Sequence, residues 1–251
     1  MVKILVESFP DVSIVVPAYD EEGNISKVIL ELLKLKDSIP NMEIIVVDDG
    51  SSDGTALELS KCDSIKSIMH VKNMGKGAAL RTGFKAAKGR VVVIQDADME
   101  YSPCEIPNLI RPILSCEADV VYGSRFNRKP FGMSSMHFLG NIILSLVASL
   151  LYGKRITDIM TGYKAFSNEF IESVDLKEDG FCVEVELTSQ ILQNGWKFIE
   201  VPIDYTYRPT GKSKIRNIDG LKSLIRLFVN VIKGKDSSQN NARKSIHSGL
   251  P

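Results

Sequence analysis

Five short apolar, β-branched runs constrain this chain more than any other feature: VSIVVPA from Val12, EIIVVDD from Glu43, a weaker SIMHV from Ser67, VVVIQDAD from Val91 and ADVVYGS from Ala118. Segments of helical character, NISKVILELLKLKDSI and GKGAALRTGFKAAKG, lie between the first four. Strands that are apolar throughout are buried on both faces, and helical crossovers keep successive strands parallel. The pattern predicts an α/β domain with a mostly parallel central sheet and helices on both faces. Sheets of this kind bind ligands beyond the carboxyl ends of their strands.

The unusual chemistry sits at those ends: PAYDEEGN (Pro17 to Asn24), DDGSSDGT (Asp48 to Thr55), DADME (Asp96 to Glu100) and GSR (Gly123 to Arg125). In the third loop, Asp96, Asp98 and Glu100 occupy alternate positions after a buried run. Like charges so close repel one another, so either they form a solvated acidic strand end or a cation neutralises them. In the second loop, Gly50 to Asp53 supply turn and helix-capping chemistry. That leaves Asp48 and Asp49, whose carboxylates can accept hydrogen bonds from a ribose diol or a base N–H. NMGKGAALRTG is neither a GxxxxGK[ST] loop nor a complete GxGxxG motif. Gly75 and Gly77 read as a tight helix entry, with Lys76 close enough to the rim to touch phosphate.

After Arg155 the elements shorten, with a helix expected from Glu184 to Gln193 and a strand in KFIEVPIDYTY. No Pro/Gly/Ser-rich linker interrupts the chain, so residues 1–233 read as one domain. The polar stretch 234–251 reads as a disordered tail. Among the 251 residues, Lys plus Arg and Asp plus Glu balance at 31 each, which leaves no global field to hold nucleic acid. The four cysteines form no CxxC pair and the three histidines are scattered, against a zinc site and in keeping with a reducing compartment. MVKILVESFPDVS has no apolar stretch of signal-peptide length, so secretion is not expected. The apolar segment from His137 to Arg155 is short of a bilayer span of roughly 20 residues and reads first as a buried core helix, second as a helix whose apolar face meets lipid.

Six motifs in this order and spacing, VVPAYDEE, VVDDGSSDGT, GKGAALRTGFKAAKG, QDADMEY, VVYGSRF and TDIMTGYKAF, resemble the family 2 inverting glycosyltransferases. The likeness runs from Val12 to Val231 and is greatest to the dolichol-phosphate mannose and glucose synthase group. It implies a GT-A fold, a donor-binding half at about 12–125, an acceptor half at 126–233, a nucleotide-diphosphate-sugar donor and Mg²⁺ or Mn²⁺. Carried over, Pro17, Ala18, Tyr19 and Glu21 line the base and ribose pocket and Asp49 sits against the nucleoside with Asp48 beside it. Lys76, Asp96, Ala97 and Asp98 complete the nucleotide-sugar site. Asp96 and Asp98 match the DxD acids and carry a catalytic role, and Asp98 with Glu100 holds the metal. Ser124, Arg125, Arg208 and Lys214 face donor and acceptor phosphates, Arg125 and Arg208 with a catalytic share, and Lys212 lies on the same late loop.

The resemblance implies transfer to a polyprenyl phosphate, an acceptor already ionised and in no need of a base. Glu184 and Glu186 stand where relatives using sugar acceptors carry a catalytic carboxylate, so a base role stays open beside one in packing and capping. The alternatives are a glycan or small-molecule hydroxyl acceptor, or a nucleotide-sugar-binding subunit without activity. Membrane contact at the cytoplasmic face is expected to be peripheral, through LKSLIRLFVNVIKGK from Leu221 or through a membrane partner.

Overall fold

The computed structural model describes residues 10–126, 134–206 and 219–233. The tail at 234–251 and the loop carrying Arg208, Lys212 and Lys214 lie outside the described residues.

Seven strands form one sheet: β1 (Val12–Ala18), β2 (Met42–Asp48), β3 (Lys66–Met69), β4 (Val91–Ile94), β5 (Val120–Ser124), β6 (Lys164–Ser167) and β7 (Phe198–Pro202). Their order is β3-β2-β1-β4-β6-β5-β7. β1, β2, β3 and β4 pair in parallel, as the sequence predicts. Between β4 and β5, however, lies the antiparallel β6, which the sequence reading missed. Its four residues, KAFS, contain no β-branched side chain and begin with a lysine, so neither length nor composition marks a strand. The reversal has a consequence for the site. β5 runs with β4, so both end at one rim, whereas β6 begins there: Lys164 pairs with Ile94 and Tyr122.

Alternation along the strands divides the core. Val12, Ile14 and Val16 pack on one side with α1 (Ile25–Lys34) and α4 (Ile106–Leu114), while Val15, Val92 and Ile94 pack on the other with α3 (Lys76–Ala86) and α7 (Val183–Gln193). Each fully buried Val, Leu or Ile contributes about 1.5–3 kcal/mol relative to exposure. The remaining α-helices among the described residues are α2 (Thr55–Ser60), α5 (Ser135–Tyr152), α6 (Asn168–Ser173) and α8, residues 219–233.

α5 corrects the expectation of a buried core helix. Its buried residues are Asn141, Leu144, Ser145 and Ala148, whereas Leu139, Ile142, Ile143, Leu146 and Leu150 are exposed. The small polar stripe faces inward because it has partners there: Asn141 donates to Asp158 at 2.6 Å and Ser145 Oγ accepts from the Ile159 N–H at 3.0 Å. By length and composition it is the one helix among the described residues able to cross a membrane, with a mean hydropathy of 1.5.

Candidate active site

The loops after β1, β2, β4 and β5 enclose a cavity of about 690 Å³. Pro17, Ala18, Tyr19, Glu21 and Asp49 line one side, and Lys76, Asp96, Ala97, Asp98, Glu100 and Arg125 the other. A larger groove of about 1000 Å³ lies elsewhere, between α3 and α6, and none of the four strand-end motifs reaches it. Ser124 and Asp48 are not on the cavity. Ser124 is fully buried, its hydroxyl 2.6 Å from that of Thr157. Asp48 ends β2 inside the sheet, where Oδ1 accepts from the Ser51 N–H at 3.0 Å and so shapes the turn.

Asp49 does reach the cavity, but its oxygens already work. Oδ1 accepts from the Met74 N–H at 3.0 Å and Oδ2 from the Gly75 N–H at 2.7 Å, so it orders the wall formed by residues 73–75. His70, which the sequence reading passed over, holds it from behind with Nδ1 2.6 Å from Asp49 and Nε2 2.9 Å from Thr82 Oγ1. With a neutral ring this places the proton on Nδ1 and leaves Nε2 to accept from the threonine. Across the mouth, Tyr19's phenol is pushed above its ordinary pKa, foremost by the charge of Asp20.

The DADME acids do not converge on one point. The strand stops at Ile94, and Met99 adopts a left-handed φ of 62°, so the segment is a turn rather than an extended continuation. Asp98 Oδ1 accepts from the Glu100 N–H at 3.1 Å, which holds these two acids together on the cavity wall. Asp96 turns instead to Lys76, at 2.8 Å, and Lys76 also meets Glu184 at 2.9 Å. Burial alone would lower the Lys76 pKa, but the two carboxylates raise it above the usual lysine value. The ammonium is thus an ion-pair bridge. The N–H groups of Gly77 and Ala78 at the start of α3 are taken by the Asp179 carbonyl.

Asp98 and Glu100 fit a hard divalent cation, since both line the cavity and the ligands they offer are carboxylate oxygens. Among the described residues no cluster of three ligating side chains exists, so the remaining ligands would be substrate phosphates and water. Arg125 is buried and bound to Asp158 by Nε and Nη2, both at 2.7 Å. Its guanidinium carbon also lies 5.7 Å from the Phe126 ring and 5.6 Å from that of Tyr205. Glu186 faces away, accepting from the Lys177 and Glu178 N–H groups, and burial pushes its carboxyl up.

The sequence profile described as glycosyl transferase family 2 matches residues 13–174, which is more than half of the chain. The chain belongs to that family. It is 30% identical over 237 residues to the polyprenol monophosphomannose synthase of Mycolicibacterium smegmatis, covering 88% of this chain and 87% of the relative. To the dolichol-phosphate mannosyltransferase of Pyrococcus furiosus it is 32% identical over 234 residues, covering 86% of this chain and 63% of the relative. Among solved structures, the glucosyl-3-phosphoglycerate synthase of Mycobacterium tuberculosis, in complex with Mn²⁺, uridine diphosphate and phosphoglyceric acid, superposes with a TM-score of 0.70 at 22% identity. That match covers 90% of this chain and 78% of the other, and it establishes the GT-A fold.

In this family 2 enzyme the motif TDIMTGYKAF contributes residues to which sequence reasoning assigned no role. Asp158 fixes Arg125, and Lys164 pairs with Glu184. Gly162 leaves the space in which Asp96 and Lys76 meet, for a Cβ there would overlap Asp96 Oδ2 and crowd Lys76 Nζ. Gly162→Ala should therefore cost about 1–3 kcal/mol of stability, typical of overpacking. It should also lower glycosyl transfer at least roughly tenfold by displacing Asp96. Melting curves and turnover on the same preparation check both; full activity at unchanged stability would mean that the pair does not need its present geometry.

Proposed function

We propose that this glycosyltransferase moves a hexosyl group, with mannose the first candidate, from a nucleoside-diphosphate sugar to a polyprenyl phosphate with inversion at the anomeric carbon. Residues 1–233 form the catalytic domain, with 12–125 binding the donor and 126–233 the acceptor. The observation that carries the reading is the state of Glu184. The carboxylate best placed to act as a base is 2% exposed and lies between two ammonium groups, Lys76 and Lys164. Each of its two oxygens is committed to one of those ion pairs, so neither stands open to a substrate hydroxyl. A sugar hydroxyl needs a proton acceptor; a phosphate oxygen attacks as it stands. Two named relatives, a polyprenol monophosphomannose synthase and a dolichol-phosphate mannosyltransferase, support the same acceptor class.

In the proposed complex Pro17, Ala18, Tyr19 and Glu21 bound the nucleoside and Asp49 keeps its wall in place. Asp98 and Glu100 would hold Mg²⁺ or Mn²⁺, which when bound supplies neutralisation of the charge on the departing nucleoside diphosphate. Arg125 offers its fixed positive charge to the same oxygens. Arg208 and Lys214, outside the described residues, are assigned to the acceptor phosphate on the strength of the sequence resemblance.

The exposed apolar residues of α5, together with Leu221, Ile225, Phe228 and Ile232 of α8, support peripheral contact with a membrane, which we assign to its cytoplasmic face. Because the polar stripe of α5 is bound to the 156–159 segment, the helix is proposed to lie against lipid rather than cross it.

The test is acceptor-dependent release of nucleoside diphosphate from GDP-mannose and UDP-glucose with Mn²⁺. Release with a polyprenyl phosphate in detergent, and none with 3-phosphoglycerate or oligosaccharides, is expected. The reverse pattern would favour a small-molecule acceptor.

A further inference from the structure

Lys164 opens β6 and is fully buried, yet the proposed reaction never touches it. Its ammonium donates to the Thr161 carbonyl and to Glu184 Oε2, and lies 4.5 Å from the centre of the Tyr122 ring. Burying an ammonium is costly even when it is paired, and a methionine would fill the same space without that cost. Burial does lower the Lys164 pKa, with Glu184 acting against it. What the charge achieves is visible one step further along. Glu184 Oε1 meets Lys76 at 2.9 Å, and Lys76 meets Asp96 at 2.8 Å. From core to cavity the charges therefore run Lys164, Glu184, Lys76, Asp96, alternating in sign across elements of both halves, β6 and α7 on one side and α3 on the other. Without Lys164, Glu184 would bind Lys76 with its whole charge and draw it away from Asp96. With Lys164 in place, Lys76 is shared, and the space left by Gly162 lets it reach Asp96.

We propose that Lys164 is a positioning residue for sugar transfer: by neutralising Glu184 it leaves Lys76 to Asp96 and so sets the orientation of the Asp96 carboxylate in the donor cavity. The proposal rests on the reading that the cavity lined by Asp96 and Asp98 is the nucleotide-sugar site.

The test compares Lys164→Met, Glu184→Gln and the double variant in the full chain, at a temperature where circular dichroism shows each folded. Lys164→Gln, which keeps hydrogen-bond donors for Thr161 and Glu184 but no charge, carries the same prediction if the methionine variant fails to fold. Turnover is followed with GDP-mannose, UDP-glucose and a polyprenyl phosphate, and Mn²⁺ affinity by electron paramagnetic resonance without nucleotide. Lys164→Met should lower kcat at least roughly tenfold with a donor KM changed by less than about threefold, a loss confined to the transition state. Mn²⁺ should bind about threefold tighter or more, because Asp96 has lost a neighbouring cation. Glu184→Gln should stay within about threefold of the unaltered protein, and adding it to Lys164→Met should restore kcat, the non-additivity expected of residues acting through one another. A folded Lys164→Met with unchanged kcat and Mn²⁺ affinity would overturn the proposal, as would a double variant that stays impaired. Asp98→Ala is the control: if it retains activity and Mn²⁺ affinity, the reading of the site falls and this proposal with it, whereas if it loses both, a failure at Lys164 refutes the positioning role alone.

Discussion

Asp98→Ala is expected to abolish Mn²⁺-dependent donor binding and lower turnover by about 10³-fold, at the upper end for removal of one electrostatic contact to developing charge. Asp98 is buried and is held beside Glu100 by its bond to the Glu100 N–H, which fixes its carboxylate at the cavity wall. Glu100→Gln should cost only about threefold, because the amide keeps an oxygen for a hard cation. It also keeps an acceptor for the Tyr205 hydroxyl, whose pKa is raised first by burial and then by Glu100. Calorimetric titration of GDP and UDP, with Mn²⁺ and then with EDTA, reads both effects. An Asp98→Ala variant that turns over normally in EDTA would remove the cation from the account.

Asp158→Ala should have the largest effect on stability, about 3–5 kcal/mol, because it leaves the buried Arg125 charge without its partner. In a domain of this size that lowers the melting temperature by roughly 6–20 °C. Asn141 loses its acceptor as well, so the inner face of α5 loosens together with the cavity wall. Burial works to raise the Asp158 pKa, but Arg125, Asn141 and the Arg125 N–H together hold it below the ordinary 3.8. A depressed carboxyl contributes stability above its unfolded pKa and loses it as pH falls through the folded value. The penalty of Asp158→Ala should therefore be constant from about pH 7 to 5 and shrink below about pH 4. Chemical denaturation at several pH values checks this; a penalty that grew towards acid would contradict the assigned pairing.

The sequence made the first four parallel strands and their loops legible because their signals are local. β1, β2 and β4 are unbroken apolar runs, and each chemical loop follows its strand directly. Asp49, Asp98 and Glu100 could be named from that adjacency. What stayed hidden depends on distant partners. Lys164 in KAFS is buried because of Glu184, twenty positions away, and Lys76 finds Asp96 through the gap at Gly162. No window of sequence contains such a set. α5 misled for a related reason: its apolar side suggests a core, but Asn141 and Ser145 point inward to meet the 158–159 segment. In DADME the strand-like alternation of the acids does not persist, for the chain turns at Met99, a left-handed residue.

The central claim, hexosyl transfer to a lipid phosphate, is tested most directly by the structure of the product. The purified protein is incubated with Mn²⁺, radiolabelled GDP-mannose or UDP-glucose and a short-chain polyprenyl phosphate in detergent. The lipid fraction is separated by thin-layer chromatography and the labelled species examined by NMR. The account predicts a mild-acid-labile hexosyl phosphoryl polyprenol whose anomeric configuration is opposite to that of the donor. Label transferred only to 3-phosphoglycerate or to a sugar hydroxyl, or a lipid product that retains the donor's configuration, would contradict it.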